Sequence, residues 1–187
     1  MNNEIHKIVD ILNNGGIILY PTDTIWGIGC DATNKSAIER IYKIKQREDS
    51  KAMLVLIGSE ARLEQYIKEV PDIAYQLIEV VDKPLTIIYP GAKNLAANLI
   101  AEDGSIGIRI PNDEFCQNLL ARFKKPIVST SANISGTASP AIFSEIDEKI
   151  IKSVDYVVSW RQDETQPGLP SSIIKFGVGG EFKIIRH

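Results

Sequence analysis

The segment PIVSTSANISG, residues 126–136, is the part of the sequence from which the fold and the site are best inferred. Residues 126–128 predict a short apolar strand, and five hydroxyl or amide side chains follow within seven residues, before Gly136. Ligands of open α/β sheets bind where loops leave the carboxyl ends of strands. These side chains therefore predict a site for phosphates, hydroxyls or a carboxylate rather than for a soft metal. An ordinary capped turn is the alternative, because the same residue types cap turns and helix starts.

The composition of the chain is that of a globular protein with one core. Its 187 residues include 44% hydrophobic and 24% charged residues, which suits a single domain over residues 1–187. The net charge of −3 argues against a protein dominated by non-specific nucleic-acid binding, since such proteins are usually basic. A local basic pocket remains compatible with this charge.

The positions of the cysteines and histidines predict a protein of a reducing compartment and argue against a zinc site. Cys30 and Cys116 lie far apart and are predicted to be small buried residues, while no His and Cys cluster has zinc-ligand spacing. The N-terminus, MNNEIHKIVD, does not resemble a signal peptide. No apolar run approaches the roughly 18 residues of a membrane span. We therefore expect a cytoplasmic protein with no membrane contact.

Helical and strand patterns alternate along the whole chain. Helices are predicted at about residues 5–12, 36–46 with a Ser36 and Glu39 capping box, 59–70, 72–78, 115–123 and from Ser144. Strands are predicted at residues 17–20, 53–57, 85–89, 105–110, 126–128 and 154–158, with a hairpin of 172–175 and 181–186. Such interleaving predicts one α/β domain with a twisted mixed sheet and flanking helices. The polar segment 161–170 is either a mobile loop or a plain surface connection.

Lys45 stands out in the basic segment 43–51. Ile38, Ile41 and Tyr42 define the buried face of the predicted helix, and helical spacing puts Lys45 on that same face. A buried cation needs a partner because an unpaired charge is costly in a core. The side chain either extends past the end of the core or points into a cleft that holds an anionic ligand, and we favour the cleft.

Two further segments carry candidate chemistry. The turn Pro21-Thr22-Asp23-Thr24 follows a predicted strand, and Asp23 is either a turn-forming residue or part of a loop that binds a small polar substrate. Arg109 interrupts an apolar strand, where it either faces outward or pairs a carboxylate or phosphate. There is no P-loop and no nucleophile elbow in the sequence. Hydroxyls with Lys and Arg suit positioning and charge stabilisation rather than covalent catalysis.

Six segments taken together resemble the YrdC-like family, the threonylcarbamoyl-AMP synthases of tRNA modification. They are PTDTIWGIGCDA (21–32), Lys45-x-Arg47 with Lys51, GIRIP (107–111), STSANISG (129–136), PSSII (170–174) and IIR (184–186). The match spans almost the whole chain and is closest to the short, single-domain branch. Three departures stand out: Glu48 replaces a proline, Trp26 replaces a tyrosine, and residues 81–86 read VDKPLT rather than WPGPLT.

The resemblance implies a concave, positively lined cavity in which ATP, L-threonine and bicarbonate give L-threonylcarbamoyladenylate and pyrophosphate. It implies that the threonine-binding residues are Thr24, Arg109, Ser129 and Ser171. It implies that the nucleotide-binding residues are Lys45, Arg47, Lys51, Ser105, Ser131, Asn133, Ser139 and Arg186, with Lys45 and Arg47 catalytic. Mg²⁺ is expected to accompany ATP, although no residue identifies a metal site. The implied partner is a transferase complex that acts on tRNA, and direct tRNA binding is left open.

Two other functions remain alternatives. One is a YrdC-like paralogue that binds double-stranded RNA or tRNA, or assists rRNA maturation, without this activity. The net charge of −3 favours a small-ligand pocket over that possibility, because RNA binding relies on many phosphate contacts. The other is a carbamoyl-transfer domain such as those of hydrogenase maturation proteins, whose acylphosphatase and zinc-finger modules this sequence lacks.

Overall fold

The structure is a computed structural model that describes residues 2–46, 53–177, 179 and 181–186. The helices are α1 Asn2–Asn13, α2 Lys35–Lys45, α3 Leu63–Tyr66, α4 Asp72–Val80, α5 Glu114–Phe123 and α6 Glu148–Ser153. The strands are β1 Ile18–Tyr20, β2 Gly27–Gly29, β3 Leu54–Leu56, β4 Leu85–Tyr89, β5 Ile106–Arg109, β6 Ile127–Ser131, β7 Tyr156–Val157, β8 Ser172–Phe176 and β9 Phe182–Arg186. Single 3₁₀ turns occupy Glu60–Arg62 and Phe143–Glu145.

The nine strands form one mixed sheet in the order β7-β1-β2-β6-β3-β5-β4-β8-β9. The pairs β1–β7, β3–β5 and β4–β8 are parallel, and the other five pairs are antiparallel. The prediction of a mixed α/β sheet with flanking helices is therefore confirmed. In this order β5 and β6 both lie beside β3, so the GIRIP and STSANISG segments are separated by a single strand.

The core has two parts, one on each face of the sheet. Side chains alternate along β1, so that Leu19 packs in one cluster while Ile18 and Tyr20 pack in the other. The first cluster also contains apolar residues of α2, α3, α4 and α6. The second contains those of α1 and α5. Both faces are covered in this way over most of the sheet, whereas the edge strand β9 is exposed along its whole length.

Several predicted element boundaries are corrected by local hydrogen bonds. Helix α2 is capped by Asn34, whose side-chain oxygen accepts the Ala37 N–H at 3.1 Å, and not by Ser36. The helix predicted from Ser144 starts instead at Glu148, where the Asp147 side chain accepts the Lys149 N–H. The region 59–70 holds a 3₁₀ turn and a helix of four residues rather than one long helix.

The two cysteines are buried, as the sequence predicts, and desolvation raises the pKa of both thiols. They belong to opposite core clusters, Cys30 to the first and Cys116 to the second. Among the described residues, no helix combines the length and the apolar character that crossing a membrane requires.

Candidate active site

A cavity of about 250 Å³ is lined by residues of β2, β3, β5, β6, β8 and β9 and of the loops beside them. Its polar lining consists of Thr24, Arg109, Ser129, Thr130, Ser131, Ser139, Ser171 and Arg186. Trp26, Met53, Leu54 and Ile173 supply most of the apolar lining. Hydroxyls and guanidinium groups predominate, so the cavity suits a ligand that carries negative charge and hydrogen-bonding oxygens.

Strand β6 continues further into STSANISG than the sequence predicted. Ser129 pairs with Leu54 of β3, and Ser131 pairs with Gly27 of β2, so residues 129–131 belong to the strand rather than to a loop. The side chains of residues two apart lie on the same face of a strand. Ser129 and Ser131 therefore line the cavity from a rigid element, which fixes their positions better than a free loop would.

Lys45 is buried on the apolar face of α2, as the helical spacing predicts, and lies 1% exposed. Its Nζ donates to the carbonyl oxygens of Ser131 at 2.5 Å and Asn133 at 2.7 Å, and to the Asn133 side-chain oxygen at 3.3 Å. The lysine thus ties the end of β6 to α2 from behind the cavity wall. Ser135 adds a second tie, because its backbone N–H donates to the Lys45 carbonyl at 2.8 Å.

Arg109 ends β5 with its guanidinium buried at the cavity. Its Nη1 donates to Asp23 Oδ1, and its Nη2 lies 3.4 Å from Thr22 Oγ1. The Nε atom is buried and has no hydrogen-bond partner among the described residues. Of the two roles considered for Arg109, an outward-facing strand residue is excluded by this burial.

Ser171 and Arg186 form the opposite wall. The Ser171 hydroxyl shares a 2.8 Å hydrogen bond with the buried Thr86 hydroxyl, and Arg186 Nε donates to the Ser171 carbonyl at 2.9 Å. Thr86 is the register partner of Arg109 across β4 and β5. The pKa of Arg186 is lowered, mainly by partial burial and to a smaller extent by the positive charge of Arg109. Two cations that share one cavity favour an anionic occupant.

The polar segment 161–170 packs against the Thr24 loop. Arg161 Nη1 donates to the Thr22 carbonyl at 3.0 Å, and Gly168 N donates to the Ala141 carbonyl at 3.2 Å. A Cβ atom placed on Gly168 would lie 1.7 Å from the Thr24 carbonyl oxygen. The segment therefore forms part of the wall beside Thr24 in this structure.

A larger cavity of about 700 Å³ lies on the other side of β5. Its lining includes Ile108 and Ile110, which flank Arg109 in sequence and point to the opposite face. Carboxylates of Asp23, Glu60, Glu79 and Asp82 also line this cavity, with Lys83 as the one cation among its described lining residues. A lining of apolar and mainly acidic side chains does not suit a polyanion. The smaller cavity, whose lining carries hydroxyl and guanidinium groups, is therefore the candidate active site.

The structure brings together most of the predicted site residues. Thr24, Arg109, Ser129 and Ser171 line one cavity with Ser131, Ser139 and Arg186, while Lys45 and Asn133 brace its wall. Ser105 does not join them, because it precedes β5 at the far end and its hydroxyl donates to Asp103 at 2.5 Å. Hydrogen bonds from Lys175 and then Ser105 lower the pKa of Asp103 to about 2. Arg47 and Lys51 lie outside the described residues.

Sequence reasoning missed two residues that support this site. The sequence allows Asp23 to be either a turn residue or a substrate contact, but its carboxylate pairs with the Arg109 guanidinium, and its side chain is 8% exposed. Thr86 was noted only for the altered segment 81–86, yet it bonds the Ser171 hydroxyl. The strand register could have pointed to Thr86, because Thr86 and Arg109 are cross-strand neighbours once β4 and β5 pair as antiparallel strands.

Among the described residues, no group of three or more His, Cys, Asp and Glu side chains could hold a metal ion.

The sequence matches a family model over most of its length. Residues 10–187 match the model of a family labelled Sua5, YciO and YrdC and described as "Telomere recombination". A relative from Methanocaldococcus jannaschii, provisionally named a threonylcarbamoyl-AMP synthase, is 36% identical over 177 residues, or 92% of this chain and 82% of that protein. A threonylcarbamoyl-AMP synthase from Pseudoalteromonas translucida is 31% identical over 157 residues, or 82% of this chain and 84% of that protein.

Two solved structures share the fold at 26% sequence identity. Sua5 from P. abyssi, complexed with L-threonine, superposes with a TM-score of 0.84 over 92% of this chain and 50% of that one. The chain thus spans half the length of that protein. YciO from E. coli superposes with a TM-score of 0.86 over 100% of this chain and 90% of that one.

Proposed function

The chain belongs to the Sua5/YciO/YrdC family, and from this premise we propose that it is an L-threonylcarbamoyladenylate synthase. It would form threonylcarbamoyl-AMP and pyrophosphate from L-threonine, bicarbonate and ATP, for the threonylcarbamoyladenosine modification of tRNA. The observation that carries the proposal is the single cavity in which Arg109 and Arg186 share the wall with Ser129, Ser131 and Ser171. Cations and fixed hydroxyls at close quarters suit a substrate that carries a carboxylate and phosphates.

The amino-acid end of the proposed site is the part of the cavity nearest β5. Arg109 would pair the threonine carboxylate, since its buried Nε is a donor without a partner among the described residues. Thr24, Ser129 and Ser171 supply hydroxyls around it. The relative that binds L-threonine, P. abyssi Sua5, has the same fold and supports this assignment by analogy.

The nucleotide end is assigned to the wall formed by the end of β6. Ser131 and Ser139 line the cavity, and Arg186 contributes a cation to it. Asn133 and Lys45 hold the backbone of that wall, so we propose that they set its shape for the nucleotide. Arg47 and Lys51 are proposed as phosphate ligands from the sequence pattern alone.

The proposed reaction needs positioning and charge stabilisation. Bicarbonate and the threonine amine first form a carbamate with loss of water, and a carbamate oxygen then attacks the α-phosphorus while pyrophosphate leaves. Negative charge builds on the phosphoryl oxygens in the transition state, where Lys and Arg side chains act most strongly. The cavity lining fits the substrate anions, and Mg²⁺ would be carried by the ATP phosphates, as is usual for this ion.

The partners beyond the substrates follow from the proposed reaction. Threonylcarbamoyl-AMP is a reactive mixed anhydride, so a transferase complex that uses it on tRNA is the proposed recipient. Direct contact with tRNA is a separate proposal, because the reaction itself needs only small molecules. An enzyme that serves tRNA modification acts where tRNA is found, so a cytoplasmic location goes with the proposal.

The test is pyrophosphate release by the purified protein with ATP, L-threonine and bicarbonate. We expect release that requires all three substrates, together with a product of the mass of threonylcarbamoyl-AMP. Omission of threonine and omission of bicarbonate are the two critical controls. A rate that is unchanged by either omission would show simple ATP hydrolysis and would rule out the proposed function.

A further inference from the structure

Asp23 is a buried carboxylate at the edge of the candidate active site. It lies between β1 and β2, and its side chain is 8% exposed. Asp23 lines the larger cavity and not the smaller one, whereas its partner Arg109 lines the smaller cavity. A carboxylate in this position would repel the carboxylate of an amino-acid substrate at contact distance. Asp23 is therefore placed to act through Arg109 rather than to bind substrate.

The two carboxylate oxygens of Asp23 accept hydrogen bonds from different donors. Oδ1 accepts a hydrogen bond from Arg109 Nη1, and Oδ2 accepts one from the Asn112 backbone N–H at 3.1 Å. The carboxylate thus fixes one end of the guanidinium to the backbone that follows β5. Because a guanidinium is planar and rigid, fixing Nη1 also fixes the direction of its other donors.

The other edge of the guanidinium carries the remaining donors. Nε is buried and has no hydrogen-bond partner among the described residues, and Nη2 makes only a long 3.4 Å contact with Thr22 Oγ1. Nε and Nη2 together form the fork that can donate two parallel hydrogen bonds to one carboxylate. A buried donor with no partner is costly, so an occupant that accepts from it gains binding energy.

We propose that Asp23 is a positioning residue that orients Arg109 so that its Nε and Nη2 edge receives the carboxylate of the amino-acid substrate. The proposal rests on the proposed function and adds the residue that sets carboxylate selectivity. Asp23 also neutralises much of the Arg109 charge, since both groups are buried. Recognition of the carboxylate by Arg109 then depends on the orientation of the guanidinium more than on its net charge. Loss of Asp23 should therefore impair selectivity for substrates that carry a carboxylate, even though the cavity becomes more positive.

The test compares the wild-type enzyme with Asp23→Ala on two substrates, L-threonine and L-threoninol, which lacks the carboxylate. We expect KM for threonine to rise about tenfold or more in Asp23→Ala, the effect of misplacing one charged hydrogen bond. KM for ATP should stay within about twofold of wild type. The ratio of kcat/KM for threonine over threoninol should fall by a similar factor, which a general loss of stability would not produce.

Two variants separate positioning from damage to the fold. Asp23→Asn keeps one oxygen that can accept from Arg109, so it should recover part of the lost threonine selectivity. Asp155→Ala is a matched control, because Asp155 likewise bonds a guanidinium (Arg40) and a backbone N–H (Ile17) at a distance from the cavity. It should lower the melting temperature without changing KM for threonine. Each variant is assayed below its own melting temperature.

A double-mutant cycle gives the decisive outcome. If Asp23 acts through Arg109, then adding Asp23→Ala to Arg109→Ala should change KM for threonine by less than about twofold. Additive effects would overturn the inference, as would unchanged selectivity in Asp23→Ala. If the wild-type enzyme shows no threonine-dependent pyrophosphate release, the proposed function fails as well, whereas an active wild type with a normal Asp23→Ala overturns this inference alone.

Discussion

At the scale of single residues, Lys45 shows how a helical pattern can locate a residue without giving its contacts. Its placement on the apolar face of α2 was predicted, and its burial confirms that placement. The two contacts considered for it were solvent beyond the core and an anion in the cleft. The structure shows a third, since Nζ donates to carbonyl oxygens of the cavity wall. A role of Lys45 toward ATP stays a prediction.

Replacing Lys45 should affect both stability and nucleotide binding. Lys45→Ala removes the charged donor that the carbonyls of Ser131 and Asn133 share, which should cost about 2–4 kcal/mol of unfolding free energy. It should also weaken ATP binding, because the wall at Ser131 loses its tether. Urea unfolding measures the first effect and calorimetric titration with ATP the second.

A matched lysine provides the control for this experiment. Lys125 Nζ bonds Asp31 Oδ2 at 2.7 Å, outside the cavity lining. Lys125→Ala should therefore reduce stability while leaving the affinity for ATP unchanged. If Lys45→Ala also binds ATP with wild-type affinity, then Lys45 has no bearing on the nucleotide end of the site.

At the scale of elements, regular segments could be predicted and their ends could not. The strong apolar periodicity of α1 and α5 located both helices, because that pattern reflects burial directly. The cap of α2 was assigned to Ser36, although Asn34 makes the capping bond. Both residues are good caps by type, and only the backbone conformation at residue 34 decides between them.

The end of β6 was misplaced for a related reason. Ser and Thr are typical of turns, so the polar sequence after Val128 suggested that the strand stops there. Pairing with β3 as far as Ser129, and with β2 at Thr130 and Ser131, keeps the backbone extended to Ser131. Tertiary pairing of this kind overrides local preference and is not visible in one segment alone.

The cap of α2 gives a test at the element scale. Asn34→Ala removes the bond to the Ala37 N–H and should lower the unfolding free energy by about 1 kcal/mol. Ser36→Ala, two residues further on, should change it by less than about 0.5 kcal/mol. Urea denaturation of the two variants beside wild type measures both values. The assignment of Asn34 as the cap would be wrong if the two losses were equal or reversed in order.

At the scale of the whole molecule, the sequence could predict the fold class but not which side chains meet. Alternating helices and strands identify a mixed α/β sheet, yet the order of nine strands depends on long-range pairing. That order puts β3 beside both β5 and β6, and so brings Arg109 and Ser129 to one cavity. The resemblance to a known family identified most of the polar lining residues, whereas the contacts of Asp23 and Thr86 needed the packed structure.

The charge of the whole molecule separates the proposed enzyme from an RNA-binding paralogue. Net charge is −3, and the cations among the described residues that line the cavity are Arg109 and Arg186. We expect no saturable binding of a duplex RNA at physiological salt up to about 10 µM protein, because such binding needs many phosphate contacts. Fluorescence anisotropy of a labelled duplex measures this, with ATP binding in the same buffer as the positive control. Saturable binding that weakens steeply with salt would favour the paralogue.

The contact between Gly168 and the Thr24 loop has a consequence for mutational tolerance. Gly136 has a φ of +89° and open space around it, so a substitution there is strained by the backbone alone, and least so for asparagine or aspartate. Gly168 has no such backbone conformation, and its constraint is the Thr24 carbonyl 1.7 Å from any Cβ. In a saturation library, position 136 should keep a few polar residues, while position 168 should keep glycine alone. The two glycines are thus required for different reasons: Gly136 because of its backbone conformation, and Gly168 because the Thr24 carbonyl leaves no room for a side chain.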